Sequence, residues 1–133
     1  MSIEELIPHR DPFLFVKKVI DQSQTSILTE TSFSKELPMF KGHFPGNPVV
    51  PGVIITEAVL QSGALLMASQ GSSAQTPVVS RINQAKFKNI LRPDEVISIE
   101  VNLIEELSGA YFFKGKVKTD KTIMTIDFTC NLV

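Results

Sequence analysis

The sequence predicts an α+β fold in which an antiparallel sheet of about six strands wraps around one long, buried helix. The first observation behind this prediction is the stretch 53–69, which is apolar on nearly every side, as is typical of a helix buried all round. The second is a series of short segments that alternate apolar and polar residues, as strands with one buried face do. A helix that needs a cover and strands that each need to bury one face fit together in such an architecture.

The N-terminal part of the chain predicts a helical turn followed by a hairpin. Residues 4–8 suit a single helical turn. Residues 12–20 are rich in aromatic and β-branched side chains and predict a first strand, and residues 21–24 carry a turn signal. Residues 25–33 predict the second strand, although their alternation is only partial.

The loop before the helix is punctuated by prolines and glycines and carries His43. Pro45, Pro48 and Pro51 lie three positions apart, and Gly42, Gly46 and Gly52 stand among them. Proline fixes φ whereas glycine leaves it free, so the segment is expected to be stiff but tightly turned. Prolines in such a loop need not all be trans, and the sequence does not say which are cis.

After the helix, residues 70–77 predict a polar loop, and strands are expected at 78–90, 96–103, 110–119 and 122–130. An irregularity is expected in the first of these four. The residues predicted to face the core in the second and fourth are Ile97, Ile99, Val101 and Leu103, and Met124, Ile126, Phe128 and Cys130. Cys130 is therefore interpreted as a small core residue and not as a nucleophile.

Composition limits the classes of function. A chain of 133 residues with 43% hydrophobic side chains suits one domain, 1–133, with its own core. A net charge of -1 from 13 basic and 14 acidic side chains gives no signal for nucleic acid. The single cysteine excludes an internal disulfide, and the N-terminus does not resemble a signal peptide, so we expect a cytoplasmic protein.

The buried helix carries two polar residues on one face, Glu57 and Gln61, four positions apart. They argue against a membrane span, as does the short length of the helix. A carboxyl in such a place must find a partner, take up a proton or line a cavity. We therefore predict that the chemistry involves Glu57 and the loop residue His43.

Three segments resemble the hotdog-fold 3-hydroxyacyl-[acyl carrier protein] dehydratases of the FabZ type. They are residues 42–63, with GHFPG, PVVPG and Glu-Ala-x-x-Gln in order, residues 8–14 (PHRDPFL) and residues 85–88 (AKFK). The resemblance covers most of the chain and implies the hotdog fold, a sheet wrapped around a central helix. It also implies dehydration of (3R)-3-hydroxyacyl thioesters to trans-2-enoyl thioesters in fatty acid or related acyl chain biosynthesis.

The resemblance assigns roles to the residues of the central segment. It implies that His43 and Glu57 form the catalytic pair and that Gly52 offers its backbone N–H to the thioester carbonyl. This chemistry needs a base at C2, a dipole for the enolate-like oxygen and an acid for the departing hydroxyl, without a metal or cofactor. We predict that the substrate-binding residues are Gly52, Gln61, Phe44 and Val53. For Gln61, a purely structural role is equally open.

The resemblance also implies partners. They are an acyl carrier protein with a 4'-phosphopantetheine-linked chain and a second copy of this chain, in a homodimer or a trimer of dimers. His43 of one copy would meet Glu57 of the other, since the stiff loop limits folding back. A local basic patch on which the acidic carrier protein docks is expected at Lys86, Lys88 and Lys41. His9 and Arg10 are expected to be structural.

Two other functions remain open on the sequence alone, a hotdog acyl thioesterase and a catalytically silent acyl-binding subunit. His43 argues against the first, and the presence of both acid and base argues against the second.

The chain departs from the family pattern at Lys17, Leu60, Asn83 and Asp94. Leu60 lies one turn from Glu57, which leaves the preferred acyl chain length open.

Overall fold

The structure is a computed structural model that describes residues 2–70 and 75–133. It contains a six-stranded antiparallel sheet and a 17-residue helix, which confirms the predicted α+β class. The helices are α1 (Ile3–Leu6) and α2 (Gly52–Ala68), with a 3-10 turn at Pro38–Lys41. The strands are β1 (Lys18–Gln22), β2 (Ser26–Thr31), β3 (Pro77–Phe87), β4 (Ile97–Leu107), β5 (Ala110–Lys118) and β6 (Thr122–Leu132). Their order in the sheet is β1-β2-β4-β5-β6-β3, so β1 and β3 form the two edges.

Helix α2 and the sheet are packed very close together. A Cβ atom added at Gly63 would come within 2.9 Å of the Phe128 ring, and one added at Gly115 within 2.6 Å of Val59. Such separations are shorter than van der Waals contact, so any side chain at these two positions would push the helix from the strands. The absence of a Cβ on each layer sets how closely they pack.

A buried pair of hydroxyls links α2 to β2. Ser62 donates to the carbonyl of Ala58 on the same helix (2.9 Å), and its oxygen lies 2.8 Å from the Thr29 hydroxyl. Because the Ser62 proton is committed to Ala58, Thr29 is the donor in this pair. Both side chains are buried, and the link satisfies both hydroxyls inside the core.

The core-facing residues of β4 and β6 were predicted correctly. Ile97, Ile99 and Val101 are fully buried, as are Met124, Ile126, Phe128 and Cys130, while Leu103 packs at the margin of the core. Burial raises the pKa of the Cys130 thiol to about 11. The thiol is therefore protonated at neutral pH and serves as a small core side chain.

The predicted first strand, residues 12–20, is present only over residues 18–20 and was wrong over residues 12–17. Strand β1 covers Lys18–Gln22, so it takes in part of the predicted turn. Residues preceding it use their backbone groups elsewhere: the N–H of Phe15 donates to the Gln61 side chain, which in turn donates to the carbonyl of Phe13. A helix side chain replaces the neighbouring strand as hydrogen-bond partner, and no strand forms there.

Other boundaries differ by smaller amounts. The predicted helical turn starts at Ile3 instead of residue 4, because Ser2 and Glu5 form a capping box. Strand β3 ends at Phe87, three residues before the predicted end, and the expected irregularity is present as register shifts, with Gln84 at a φ of 52°. The predicted loop 70–77 lies partly outside the described residues, at 71–74. A cis peptide bond joins Asp11 and Pro12, outside the proline-rich loop.

Asp94 occupies a left-handed backbone conformation, with a φ of 69°. The family resemblance implies a turn glycine here, and the observed φ explains why, because glycine alone adopts this conformation without a steric penalty. The Asp94 carboxylate accepts a long bond of 3.4 Å from the Lys35 N–H.

We expect Asp94→Gly to be at least as stable as the parent and Asp94→Ala to be less stable than Asp94→Gly by about 1 kcal/mol. Both variants lose the side-chain bond to Lys35, so the difference between them isolates the backbone term. Urea unfolding at constant pH measures it. Equal stability of the two variants would show that the backbone conformation at position 94 carries no penalty.

Candidate active site

The His43 ring is oriented by one hydrogen bond within its own loop. Its Nδ1 lies 2.8 Å from the backbone oxygen of Val49, and the side chain is half-buried. A carbonyl can only accept, so Nδ1 carries a proton, and whenever the ring is uncharged its Nε2 is the unprotonated nitrogen. His43 is therefore held in the tautomer that a general base requires.

Phe44, the next residue, is held in an unusual conformation. Its φ is 56°, in the left-handed region, and its side chain is 60% exposed. The ring lies edge-on to His43, with centroids 4.6 Å apart. A bulky residue with this φ is strained, and strain of this kind clusters at functional loops. The loop thus holds an apolar ring in the open beside the imidazole.

The N-terminus of α2 presents free backbone donors. Its N-cap is Pro51, which makes no side-chain capping bond, and the Pro51 carbonyl accepts from Ile54 and Ile55. Among residues 2–70 and 75–133, no acceptor lies in reach of the N–H groups of Gly52 and Val53. These donors, together with the positive end of the helix dipole, suit an oxygen that gains negative charge.

Gly52 is also a close-contact position. A Cβ atom there would lie 2.9 Å from the Phe87 ring, at the end of β3. Val53, beside it, has a side chain that is 76% exposed. The helix start is therefore lined by apolar side chains but carries unsatisfied polar backbone groups, a combination that suits a thioester with an acyl chain.

Glu57 is held by Gln61 on the same helix. The Gln61 amide nitrogen donates to Glu57 Oε2 (3.0 Å) and to the carbonyl of Phe13 (2.9 Å), and its oxygen accepts from the N–H of Phe15 (2.9 Å). Gln61 is only 1% exposed, whereas the Glu57 side chain is 22% exposed. Gln61 thus makes three hydrogen bonds to the chain, which gives it a structural part whether or not it also touches substrate.

His9 is a neighbour of Glu57 that the sequence-based interpretation missed. Its Nε2 lies 3.6 Å from Glu57 Oε2. Arg10 matches the structural role expected of it, because its guanidinium donates to the carbonyls of Glu4, Ile7 and His9. The signal that could have revealed His9 is its place in the PHRDPFL segment, one of the three that carry the family resemblance.

The residues of the candidate site fall into two groups within one chain. Glu57, Gln61 and His9 meet on one side, and His43 lies beside Phe44 in the loop. Within the described part of the chain, His43 makes neither a hydrogen bond nor an ion pair with Glu57. In the same residues no cluster of three His, Cys, Asp or Glu side chains could hold a metal ion, and no helix is long and apolar enough to cross a membrane.

A groove of about 380 Å³ lies elsewhere, among residues of β3, β4, β5 and β6. Its charged lining residues are Lys86, Lys114, Lys116, Glu100 and Asp127, and Lys114 pairs with Asp127 at 3.2 Å. None of the predicted catalytic or substrate-binding residues lines it. The groove has mixed charge and is separate from the candidate site.

Comparison with known proteins gives consistent matches along the chain. The model of the ApeI-like family, described as ApeI dehydratase, matches residues 19–126. The 3-hydroxyacyl-[acyl-carrier-protein] dehydratase FabZ of Caulobacter vibrioides (strain NA1000 / CB15N) is 39% identical over 132 residues, covering 96% of this chain and 83% of its own. FabZ of Clostridium perfringens (strain SM101 / Type A) is 33% identical over 127 residues, covering 95% and 86%.

Solved structures agree on the fold. The dehydratase heterocomplex ApeI:P from Xenorhabdus doucetiae superposes with a TM-score of 0.82 at 13% identity, covering 98% of this chain and 90% of the other. A hypothetical thioesterase with coenzyme A from Streptococcus pneumoniae TIGR4 gives 0.70 at 12% identity, covering 87% and 84%. At these identities the likeness concerns the fold alone, and it confirms the hotdog prediction.

The family model and the curated relatives identify the family. The chain belongs to the FabZ-type 3-hydroxyacyl-[acyl-carrier-protein] dehydratase family and is a dehydratase.

Proposed function

We propose that this enzyme removes water from (3R)-3-hydroxyacyl groups carried as thioesters on acyl carrier protein, giving trans-2-enoyl thioesters for fatty acid or related acyl chain synthesis in the cytoplasm. The observation that carries the catalytic part is the 2.8 Å bond between His43 Nδ1 and the Val49 carbonyl. This bond leaves Nε2 as the proton acceptor and fixes its direction.

The reaction assigns one proton transfer to each catalytic group. His43 Nε2 takes a proton from C2, and the electron pair of that bond forms the C2–C3 double bond. The C3–O bond breaks, and the hydroxyl takes a proton from the Glu57 carboxyl and leaves as water. Proton transfer by a positioned side chain contributes about 10²–10⁴-fold to such a step. Return of the proton from His43 to Glu57 completes the cycle.

The start of α2 supplies the third component. As charge moves from C2 onto the thioester oxygen, the free N–H groups of Gly52 and Val53 are the donors that can stabilise it. The exposed side chains of Phe44 and Val53 line the path of the acyl chain next to them. Backbone donors that the helix already holds in place need no rearrangement during the reaction, which is why they are effective.

The site is proposed to form between two copies of the chain. His43 and Glu57 do not contact each other within one chain, and β3 is a sheet edge whose outer backbone groups lack a strand partner among the described residues. Val78 and Ile82 on β3 and Phe87 at its end are exposed. Pairing of β3 with its copy around a two-fold axis would extend the sheet and cover these side chains. Assembly of three such dimers into one particle stays a prediction.

We expect His43→Ala and Glu57→Gln each to lower kcat for the carrier-bound 3-hydroxyacyl substrate by about 10²–10⁴-fold while remaining folded. Hydration of the trans-2-enoyl thioester should fall in parallel, because it is the reverse reaction. The measurement follows enoyl absorbance and free thiol together. Glu36→Gln, at an exposed glutamate, is the matched control and should keep full activity.

Full activity in either catalytic variant would contradict the assignment of base and acid. Release of free thiol from the parent enzyme without hydration or dehydration would indicate the thioesterase alternative. Binding of the acyl thioester without either reaction would indicate a silent acyl-binding subunit.

The expected carrier-docking patch consists of Lys41, Lys88 and Lys86, and all three are exposed. Charge reversal at these positions should raise KM for the carrier-bound substrate and leave a short pantetheine substrate unaffected, because only the carrier is acidic enough to need them. Lys18→Glu, on the opposite edge strand β1, is the control and should change neither KM. If the patch variants impair both substrates equally, these lysines do not dock the carrier.

A further inference from the structure

Two nitrogen atoms approach the same oxygen of Glu57. Gln61 Nε2 lies 3.0 Å and His9 Nε2 lies 3.6 Å from Oε2. Among the described residues, no side chain or N–H donates to the other oxygen, Oε1. A carboxyl whose Oε2 accepts hydrogen bonds carries its proton on Oε1. The arrangement therefore distinguishes the two oxygens, one held by the protein and one available to a reacting group.

The surroundings of His9 indicate which ring nitrogen bears its proton. Nδ1 is buried and has no hydrogen-bond partner, whereas Nε2 contacts Glu57. An N–H at Nδ1 would be buried without an acceptor, which is unfavourable, whereas an unprotonated nitrogen there loses less. With the ring uncharged, the single N–H is therefore assigned to Nε2, where it can donate to Glu57.

The segment that carries His9 is braced by its own hydrogen bonds before this contact and is bound to helix α2 after it. Arg10 donates to the carbonyls of Glu4, Ile7 and His9 itself, at 2.9, 2.8 and 2.7 Å. Further along, Gln61 binds the backbone of Phe13 and Phe15. These bonds hold the backbone at His9 in place, so its imidazole has a fixed anchor beside Glu57. The sequence predicted a structural role for His9, and these bonds explain how its backbone is fixed.

We propose that His9 is a positioning residue of the active site, which together with Gln61 holds Oε2 of Glu57 and so directs the acidic proton on Oε1 toward the substrate hydroxyl. The inference rests on the proposed role of Glu57 as the acid. At 3.6 Å the contact is longer than a hydrogen bond, and a shift of roughly 0.5 Å brings it within range. Contacts of this kind tighten when substrate is bound.

The test compares three substitutions at one position. His9→Leu removes the donor and should lower kcat by on the order of 10- to 100-fold, because misplacement of a reacting group by about 1 Å has effects of that size. KM should change little, because a positioning residue acts through Glu57 and not on the substrate itself. His9→Gln can place an amide N–H near the former Nε2 and should recover most of kcat, whereas His9→Asn is too short to reach Glu57 and should not. Glu4→Gln, which keeps the backbone carbonyl that Arg10 binds, is the control and should behave as the parent.

A second arm asks whether His9 acts through Glu57. In a Glu57→Asp background the carboxyl is withdrawn from His9 by one methylene, so adding His9→Leu should lower kcat by less than about threefold more. Thermal unfolding of every variant separates kcat from loss of fold. If His9→Leu does not fold, the comparison of His9→Gln with His9→Asn decides.

The outcomes separate this inference from the proposed function. If Glu57→Gln is inactive but His9→Leu and His9→Asn retain the kcat of the parent, His9 is structural only and the inference fails while the function stands. The same conclusion follows if Gln and Asn at position 9 lower kcat equally. If Glu57→Gln itself is fully active, the assignment of the acid fails and with it the basis for a positioning role.

Discussion

Burial of helix α2 is the constraint on which the rest of the structure depends. Ala58, Val59 and Leu66 are fully buried, and the sheet approaches the helix closely enough that Gly63 and Gly115 have no room for a Cβ. Helix and sheet therefore meet at a fixed separation, and side chains on the helix have few alternative positions. A rigid element of this kind is a good support for a functional group, because groups on helices are placed more precisely than groups on loops.

The candidate site arises from the polar residues on this mostly apolar helix. Ser62 is satisfied inside the core by Thr29, and Gln61 by the backbone near Phe13 and Phe15. Glu57 lies where the core meets the surface, with one oxygen bound by Gln61 and part of its side chain accessible. The same bonds that satisfy Gln61 also anchor the N-terminal segment, so stability and the placement of the carboxyl have a common cause.

Much of the fold could be predicted because it depends on local patterns. Alternation in β4 and β6 and the uniform apolarity of α2 reflect burial that each segment undergoes as a whole. The segment before β1 could not be predicted, because its backbone partner is Gln61, 46 positions away in the sequence from Phe15. The contact of His9 with Glu57 joins separate segments in the same way. Composition and hydrophobic periodicity carry no information on contacts between segments that are distant in the sequence.

The measurement that tests the shared site most directly mixes two inactive chains, His43→Ala and Glu57→Ala, co-expressed in equal amounts. In a two-fold dimer with one residue of the pair from each chain, a mixed dimer has one site with both lesions and one with none. Random pairing makes about half of the dimers mixed, so about a quarter of the parent activity should return. If verified mixed dimers show no activity, the pair lies within one chain, and the account of how this enzyme assembles its site is contradicted.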